Sequence, residues 1–261
     1  MTNTDARLWI REFHPAPHSP VQLVCFPHAG GSAVFYFPVS AALQPSVNVQ
    51  AVQYPGRQDR SREPFVPTVT ELADVVAGIL LARNDERRIA LFGHSMGAVV
   101  AYEVARRLEA AGTTPLRLFV SGRRAPSRTR DESVHERSDQ GVIAELRRLN
   151  GTQSAIFSDD EIVRMILPAV RNDYRAIETY THPAGQVLSC PITALVGDSD
   201  PMTTLDETDA WQAHTSGEFE RRVFPGGHFY LAAQSSAVIK LISDFLVPNR
   251  ADRPPLRGAA G

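Results

Sequence analysis

Cysteine is scarce, with two residues among 261. Cys25 lies in an apolar run and Cys190 precedes Pro191, so neither fits a disulfide framework or a metal-ligand cluster. Both are read as packing residues. Long apolar runs are missing as well: no stretch is apolar for long enough to cross a bilayer. Met1-Thr2-Asn3-Thr4-Asp5 lacks a basic start followed by an apolar segment, and the expectation is a cytoplasmic protein without membrane attachment. Charge of one sign is also missing. A formal net charge of -2 gives no electrostatic reason to invoke nucleic acid or an anionic membrane. The basic pairs Arg87-Arg88, Arg106-Arg107, Arg123-Arg124 and Arg147-Arg148 are most simply solvated faces. His14, His18, His135, His182 and His214 are scattered without the spacing of a zinc site. No internal repeat points to a solenoid.

The segments that remain alternate between strand and helix. Val21 to Phe26 and Val47 to Val52 read as buried strands, Ile89 to Phe92 as a short apolar strand, and Leu116 to Val120, Ile192 to Val196 and Phe219 to Phe224 as later strands. Thr68 and Glu71 have capping-box spacing ahead of Leu72, Val75, Val76, Ile79 and Leu80, which recur with helical period. Further helices are expected over Ala98 to Leu108, closing at Gly112, and from about Ser236 to Leu246. Such alternation predicts a single α/β domain with a mainly parallel sheet covered on both faces. From about Ala125 to Pro183 the alternation stops. Val142, Ile143, Leu146 and Leu149 share one helical face, Ser158 and Glu161 again have capping-box spacing, and Pro168 is expected to kink or divide a second helix. This stretch is read as an inserted helical lid over residues 125–183. The tail 248–261 lacks periodicity and is expected to be disordered.

Gly93-His94-Ser95-Met96-Gly97 sits between the strand at Ile89 to Phe92 and the helix that follows. It fits G-x-S-x-G, in which small flanking residues let a strained turn expose the serine hydroxyl at a helix N-terminus. Ser95 is therefore the candidate nucleophile. A hydroxyl needs a base, and His228 follows a strand through Pro225-Gly226-Gly227 at the same sheet edge. Asp200, in the turn Gly197-Asp198-Ser199-Asp200-Pro201, is the candidate carboxylate to orient His228, with Asp198 its rival on the same turn. The alternative acid position, after the preceding strand, reads Val120-Ser121-Gly122 and holds no carboxylate. Backbone N–H groups of Met96, which follows Ser95, and Ala29, in the loop Phe26-Pro27-His28-Ala29-Gly30-Gly31, are the candidate oxyanion donors. His28 and His94 are expected to brace their turns by hydrogen bonding.

Those motifs, taken with Tyr54-Pro55-Gly56-Arg57, Arg171-Asn172-Asp173-Tyr174 and Gly226-Gly227-His228-Phe229, resemble the type II thioesterases, discrete α/β-hydrolases that accompany polyketide synthases and nonribosomal peptide synthetases. The resemblance runs from about Val21 to Leu246. It implies an α/β-hydrolase fold and hydrolysis of stalled acyl groups from the phosphopantetheine arm of an acyl or peptidyl carrier protein. It also implies Ser95 as nucleophile, His228 as base and then acid, and Asp200 as orienting acid. No metal or redox cofactor is implied, and a monomer is expected. Two other functions use the same features: a general carboxylesterase or lipase, and a noncatalytic acyl-binding scaffold, for which the joint presence of Ser95, Asp200 and His228 has no purpose.

Overall fold

The six expected strands and one short addition become neighbours in one seven-stranded sheet: β1 (Ile10–Arg11), β2 (Val21–Phe26), β3 (Asn48–Val52), β4 (Arg88–His94), β5 (Leu118–Ser121), β6 (Ile192–Gly197) and β7 (Phe219–Phe224). The computed structural model describes residues 3–83, 85–150, 160–183, 185 and 187–247. Strand order is β1-β3-β2-β4-β5-β6-β7, and every pairing is parallel except that of β1 with β3. The short antiparallel β1 has no counterpart among the strands expected from the sequence. The parallel register sets His94 opposite Ser121 and Gly197 opposite Phe224, so the C-terminal ends of β4 to β7 share one edge.

Alternation along the strands feeds two cores. Val24, Phe26 and Leu91 point to one face, packed by α3 (Val69–Ala82) and α4 (Met96–Ala110), whereas Leu23, Cys25 and Phe92 point to the other. That second face is covered by α2 (Phe37–Leu43) and α9 (Ser235–Leu246). Two-sided burial explains why these strands read as continuous apolar runs. Helix α3 starts where Thr68 accepts the Glu71 N–H at 3.1 Å. Helix α4 closes at Gly112, whose φ of 84° suits glycine, and the Thr113 N–H returns to the Leu108 carbonyl at 2.8 Å. Three short helices complete the body: α1 (Asn3–Trp9), α7 (Leu205–Asp209) and α8 (Tyr230–Ala233).

Between β5 and β6 the described residues contain α5 (Asp139–Asn150) and α6 (Asp160–Glu178) and no strand of the sheet. Of the face anticipated from Val142, Ile143, Leu146 and Leu149, Ile143 is half-buried and the others are buried, and Val142 and Leu146 meet Val163, Leu167, Val170 and Tyr174 in a third, small core. Pro168 does not divide α6, which runs through it without a break. Proline removes one intrahelical bond, but the apolar face on both sides of it keeps the helix in place. The Ser158–Glu161 capping pattern and the tail 248–261 lie outside the described residues and side chains.

Candidate active site

The β4–α4 junction is a turn that only small residues permit. Ser95 has φ 55° and ψ -120°, a left-handed conformation that costs a residue with a side chain about 1–3 kcal/mol. A Cβ on Gly93 would lie 2.1 Å from the Gly97 carbonyl oxygen, and one on Gly97 would lie 2.1 Å from that of Phe26. Both contacts are with backbone, which cannot swing away. The Ser95 N–H donates to the Ser121 carbonyl at 2.8 Å, fixing the turn to the next strand and leaving the side chain half-exposed.

Three of the anticipated residues meet there. Ser95 Oγ lies 3.1 Å from His228 Nε2, and His228 Nδ1 lies 3.0 and 3.1 Å from the two Asp200 oxygens. The histidine and the Asp200 side chain are buried, and Asp200 also accepts the Met202 N–H at 2.8 Å. Asp198 is exposed and points elsewhere: it accepts the Gly226 N–H at 2.9 Å, bracing the loop that carries His228. Thus the rival carboxylate supports the histidine loop without touching the imidazole. With Nδ1 protonated toward Asp200, Nε2 is free to accept the Ser95 proton.

Ala29, in the loop after β2, and Met96, the first residue of α4 after β4, sit at neighbouring strand ends, and among the described residues neither N–H donates to another protein group. The loop of Ala29 is shaped by a residue of the insertion. Asp173 on α6 accepts the Gly30 N–H at 2.8 Å and forms a two-pronged pair with Arg57 at 2.6 and 2.9 Å. Arg57 in turn donates to the Gly31 carbonyl at 3.1 Å. Both side chains of this pair are buried.

A model of the thioesterase domain matches residues 21–246. A probable cadicidin biosynthesis thioesterase of Streptomyces griseus is 53% identical over 249 residues, spanning 95% of this chain and 68% of that protein. The chain is a type II thioesterase of the α/β-hydrolase superfamily. Among solved structures, the type II thioesterase BorB of the borrelidin cluster superposes with a TM-score of 0.87 at 52% identity, over 92% of this chain and 98% of its own. The RedJ thioesterase of the prodiginine pathway in Streptomyces coelicolor gives 0.84 at 38%, over 90% of each chain.

In this thioesterase the histidines near Ser95 divide by environment. His94 is fully buried, its Nδ1 2.9 Å from Ser121 Oγ, which lies 2.7 Å from the Tyr230 hydroxyl; among the described residues its Nε2 has no hydrogen-bond partner. Burial, then the neighbouring His228 and His28, hold its pKa well below the usual value. His28 differs from expectation. It braces its turn by packing its ring against Phe35 and Phe229, while among the described residues its buried Nδ1 has no hydrogen-bond partner, and burial followed by His228 and Arg57 pushes its pKa down to about 3. Both rings are therefore neutral at pH 7.

Several partners were out of reach of sequence spacing. Asp173 and Arg57 each stand in a motif singled out above, but 116 positions separate them. Ser121, noted only for lacking a carboxylate, anchors His94. His182 and His214, on opposite sides of β6 in the chain, stack edge to face at 4.9 Å beside Tyr102. The Arg123-Arg124 pair is not a solvated face: both residues are buried, because the chain leaving β5 passes beneath the end of α6. Among the described residues no helix is long and apolar enough to cross a membrane, and no cluster of three His, Cys, Asp or Glu side chains is placed to hold a metal.

Proposed function

We propose that the protein hydrolyses acyl groups from the phosphopantetheine thiol of acyl or peptidyl carrier proteins, through an acyl-Ser95 intermediate. The single observation that carries this reading is the unbroken series Ser95 Oγ, His228 Nε2, His228 Nδ1, Asp200 at 3.0 to 3.1 Å. In the first half-reaction Ser95 Oγ attacks the thioester carbonyl while its proton passes to His228 Nε2. The developing oxyanion is received by the Ala29 and Met96 N–H groups, and Asp200 stabilises the imidazolium. Collapse breaks the carbon–sulfur bond, and the departing thiolate takes the proton from His228. A water deprotonated by His228 then attacks the acyl-serine ester, releasing the carboxylic acid and returning the proton to Ser95.

The carrier class is supported by the relatives named for cadicidin, borrelidin and prodiginine biosynthesis. The segment 125–183 acts in this reading as a lid that borders the acyl channel, within a single domain. A cytoplasmic monomer that edits stalled assembly lines, without cofactor, is the corresponding biological role.

The test is a hydrolysis panel of several acyl groups on polyketide and peptide carriers, beside simple oxygen esters, run with wild type and Ser95→Ala. Release of free carrier thiol should fall by at least about 10⁴-fold in the variant, with its fold intact by circular dichroism. Full residual thioesterase activity would sink the assignment, and a clear preference for oxygen esters would favour a general esterase.

A further inference from the structure

Of the four basic pairs, Arg123-Arg124 is the one with both residues buried, and its two members are treated differently. Arg124 pairs with Glu132 at 2.5 and 3.1 Å. Arg123 is only 8% exposed, yet among the described residues no oxygen lies within hydrogen-bond or ion-pair distance of its guanidinium. The negative groups nearest in its field, Glu132 and Glu178, are already committed. Glu132 holds Arg124, and Glu178 accepts the Val134 and His135 N–H groups at 2.9 and 3.1 Å and meets His135 Nδ1 at 2.5 Å. Leaving a guanidinium desolvated and unpaired is costly, and native proteins nearly always pair such a group. Burial and the adjacent Arg124 lower its pKa to about 10, so it stays charged at pH 7.

Arg123 does border open space. A cavity of about 220 Å³ is lined by Arg123, Arg124, Arg128 and Arg130 together with Glu178 and Tyr180. Arg124 is neutralised by Glu132 and Arg130 by Glu207 at 2.7 Å, and the Glu178 carboxylate at the cavity wall is taken up by His135 and two backbone N–H groups, so among the described residues the cationic groups left without a carboxylate partner are Arg123 and the exposed Arg128. We propose that this cavity is an oxyanion-binding site, in which the Arg123 fork receives a phosphate or carboxylate group. A planar guanidinium matches either group through two parallel N–H···O bonds. None of Ser95, Asp200 and His228 lines the cavity, so the site does not depend on the hydrolytic reading. It is nevertheless mechanically close to the turn: Arg123 follows by two residues Ser121, whose carbonyl holds the Ser95 N–H, and its own carbonyl accepts Trp211 Nε1 at 2.8 Å.

The test compares thermal melting of wild type, Arg123→Met and Arg128→Gln in inorganic phosphate, acetate and chloride at matched ionic strength. Wild type and Arg128→Gln should gain a saturable shift of about 3 °C in phosphate over chloride, and Arg123→Met should lose that gain. In chloride, Arg123→Met should melt no lower than wild type, because it removes an uncompensated buried charge. A shift with phosphate alone assigns the site to phosphate; a shift with acetate too assigns it to oxyanions generally. A second arm compares thioesters of pantetheine and phosphopantetheine, and of propionyl and methylmalonyl groups. A KM rise of tenfold or more in Arg123→Met confined to phosphopantetheine or to methylmalonyl identifies which part of a substrate supplies the anion. Absence of any anion-specific shift in wild type, or an equal shift in Arg123→Met, overturns the proposal and leaves water as the occupant. Should Arg123→Met fail to fold, phosphate titration of wild type followed by ³¹P line broadening decides alone, saturable broadening supporting the site and its absence overturning it.

Discussion

The proposed oxyanion donors Met96 and Ala29 belong to differently built parts of the molecule. Met96 begins α4, whose approach to the sheet is fixed by backbone contacts at Gly93 and Gly97 and whose residues are buried in the larger core. Ala29 lies in a loop whose neighbouring Gly30 N–H is held by Asp173, a side chain of the inserted α6. That insertion packs mainly on its own small core, with Ala29 among the residues at its margin, while Ala176 and Ile177 at the end of α6 join the larger core. One donor is therefore set by the body alone. The other is held through α6, a helix of the segment proposed as a lid, which in the proposed mechanism ties the position of α6 to the chemistry.

The strongest way to break the body half is Gly97→Ala. Its Cβ would meet the Phe26 and Pro27 carbonyl oxygens at 2.1 and 2.6 Å, so α4 or the Ala29 loop must shift. Thioesterase activity should fall by about 10²-fold or more, since a misplacement near 1 Å has that effect, with stability lower by about 1–3 kcal/mol. Steady-state kinetics with urea unfolding checks both. An active, fully stable Gly97→Ala protein would show that the close approach is unnecessary.

Asp173→Ala attacks the other half without touching Ser95 or His228. Removing one partner strands the buried Arg57, a change that costs about 3–5 kcal/mol, and it frees the Gly30 N–H. The expected kinetic loss is about 10- to 100-fold in kcat with a smaller change in KM, because an oxyanion donor acts in the transition state. The double variant Arg57→Met/Asp173→Leu should recover stability but not kcat. Recovery of both would reduce the pair to a structural tie, and an unchanged kcat in Asp173→Ala would separate the insertion from the chemistry.

Sequence order carried the body half well. The strand at Val21–Phe26 falls where its apolar run begins and ends, the edge strand at Phe219–Phe224 keeps its expected bounds despite carrying Glu220, Arg221 and Arg222, and the turn at Ser95 is dictated by residues within two positions of it. Ser95, His228 and Asp200 come together because each ends a parallel strand on one edge, a consequence of topology that alternation predicts. The insertion half was less legible, since its ties depend on tertiary approach. Arg57 and Asp173 each look like surface charges until α6 is laid over the loop. Arg123-Arg124 misleads for the same reason: a charged dipeptide is normally solvated, and only the covering end of α6 buries it.

A milder comparison truncates each core. Leu91→Ala in the sheet and Leu167→Ala in α6 remove the same atoms from buried sites, each at about 2–5 kcal/mol. The consequences should differ in extent. Leu91→Ala lowers the global unfolding free energy and speeds exchange of the slowest sheet amides, whereas Leu167→Ala should speed exchange chiefly in α5 and α6. Equal acceleration across both regions would mean that the insertion opens only when the whole protein does.

The two regions should also separate on acidification. His28 titrates from about 6.5 unfolded to about 3 folded, and the fully buried His94 is depressed as well, so between those values the unfolded chain binds more protons than the native one. Body stability is thus fully present above pH 6.5 and declines as pH falls toward 4, by at most about 1.4 kcal/mol per pH unit for each histidine. In the insertion, Glu145 on α5 is held below its usual 4.5 first by its hydrogen bonds with Arg148, so its contribution is present above that value and is lost only at lower pH. Amide exchange corrected for intrinsic rates, measured at pH 7, 6 and 5, should therefore show β4 and α4 losing protection before the Glu145 contribution begins to fail. His94→Gln should flatten the slope in the body by about the share of one proton; an unchanged slope would mean that His94 is not what the acid limb reports.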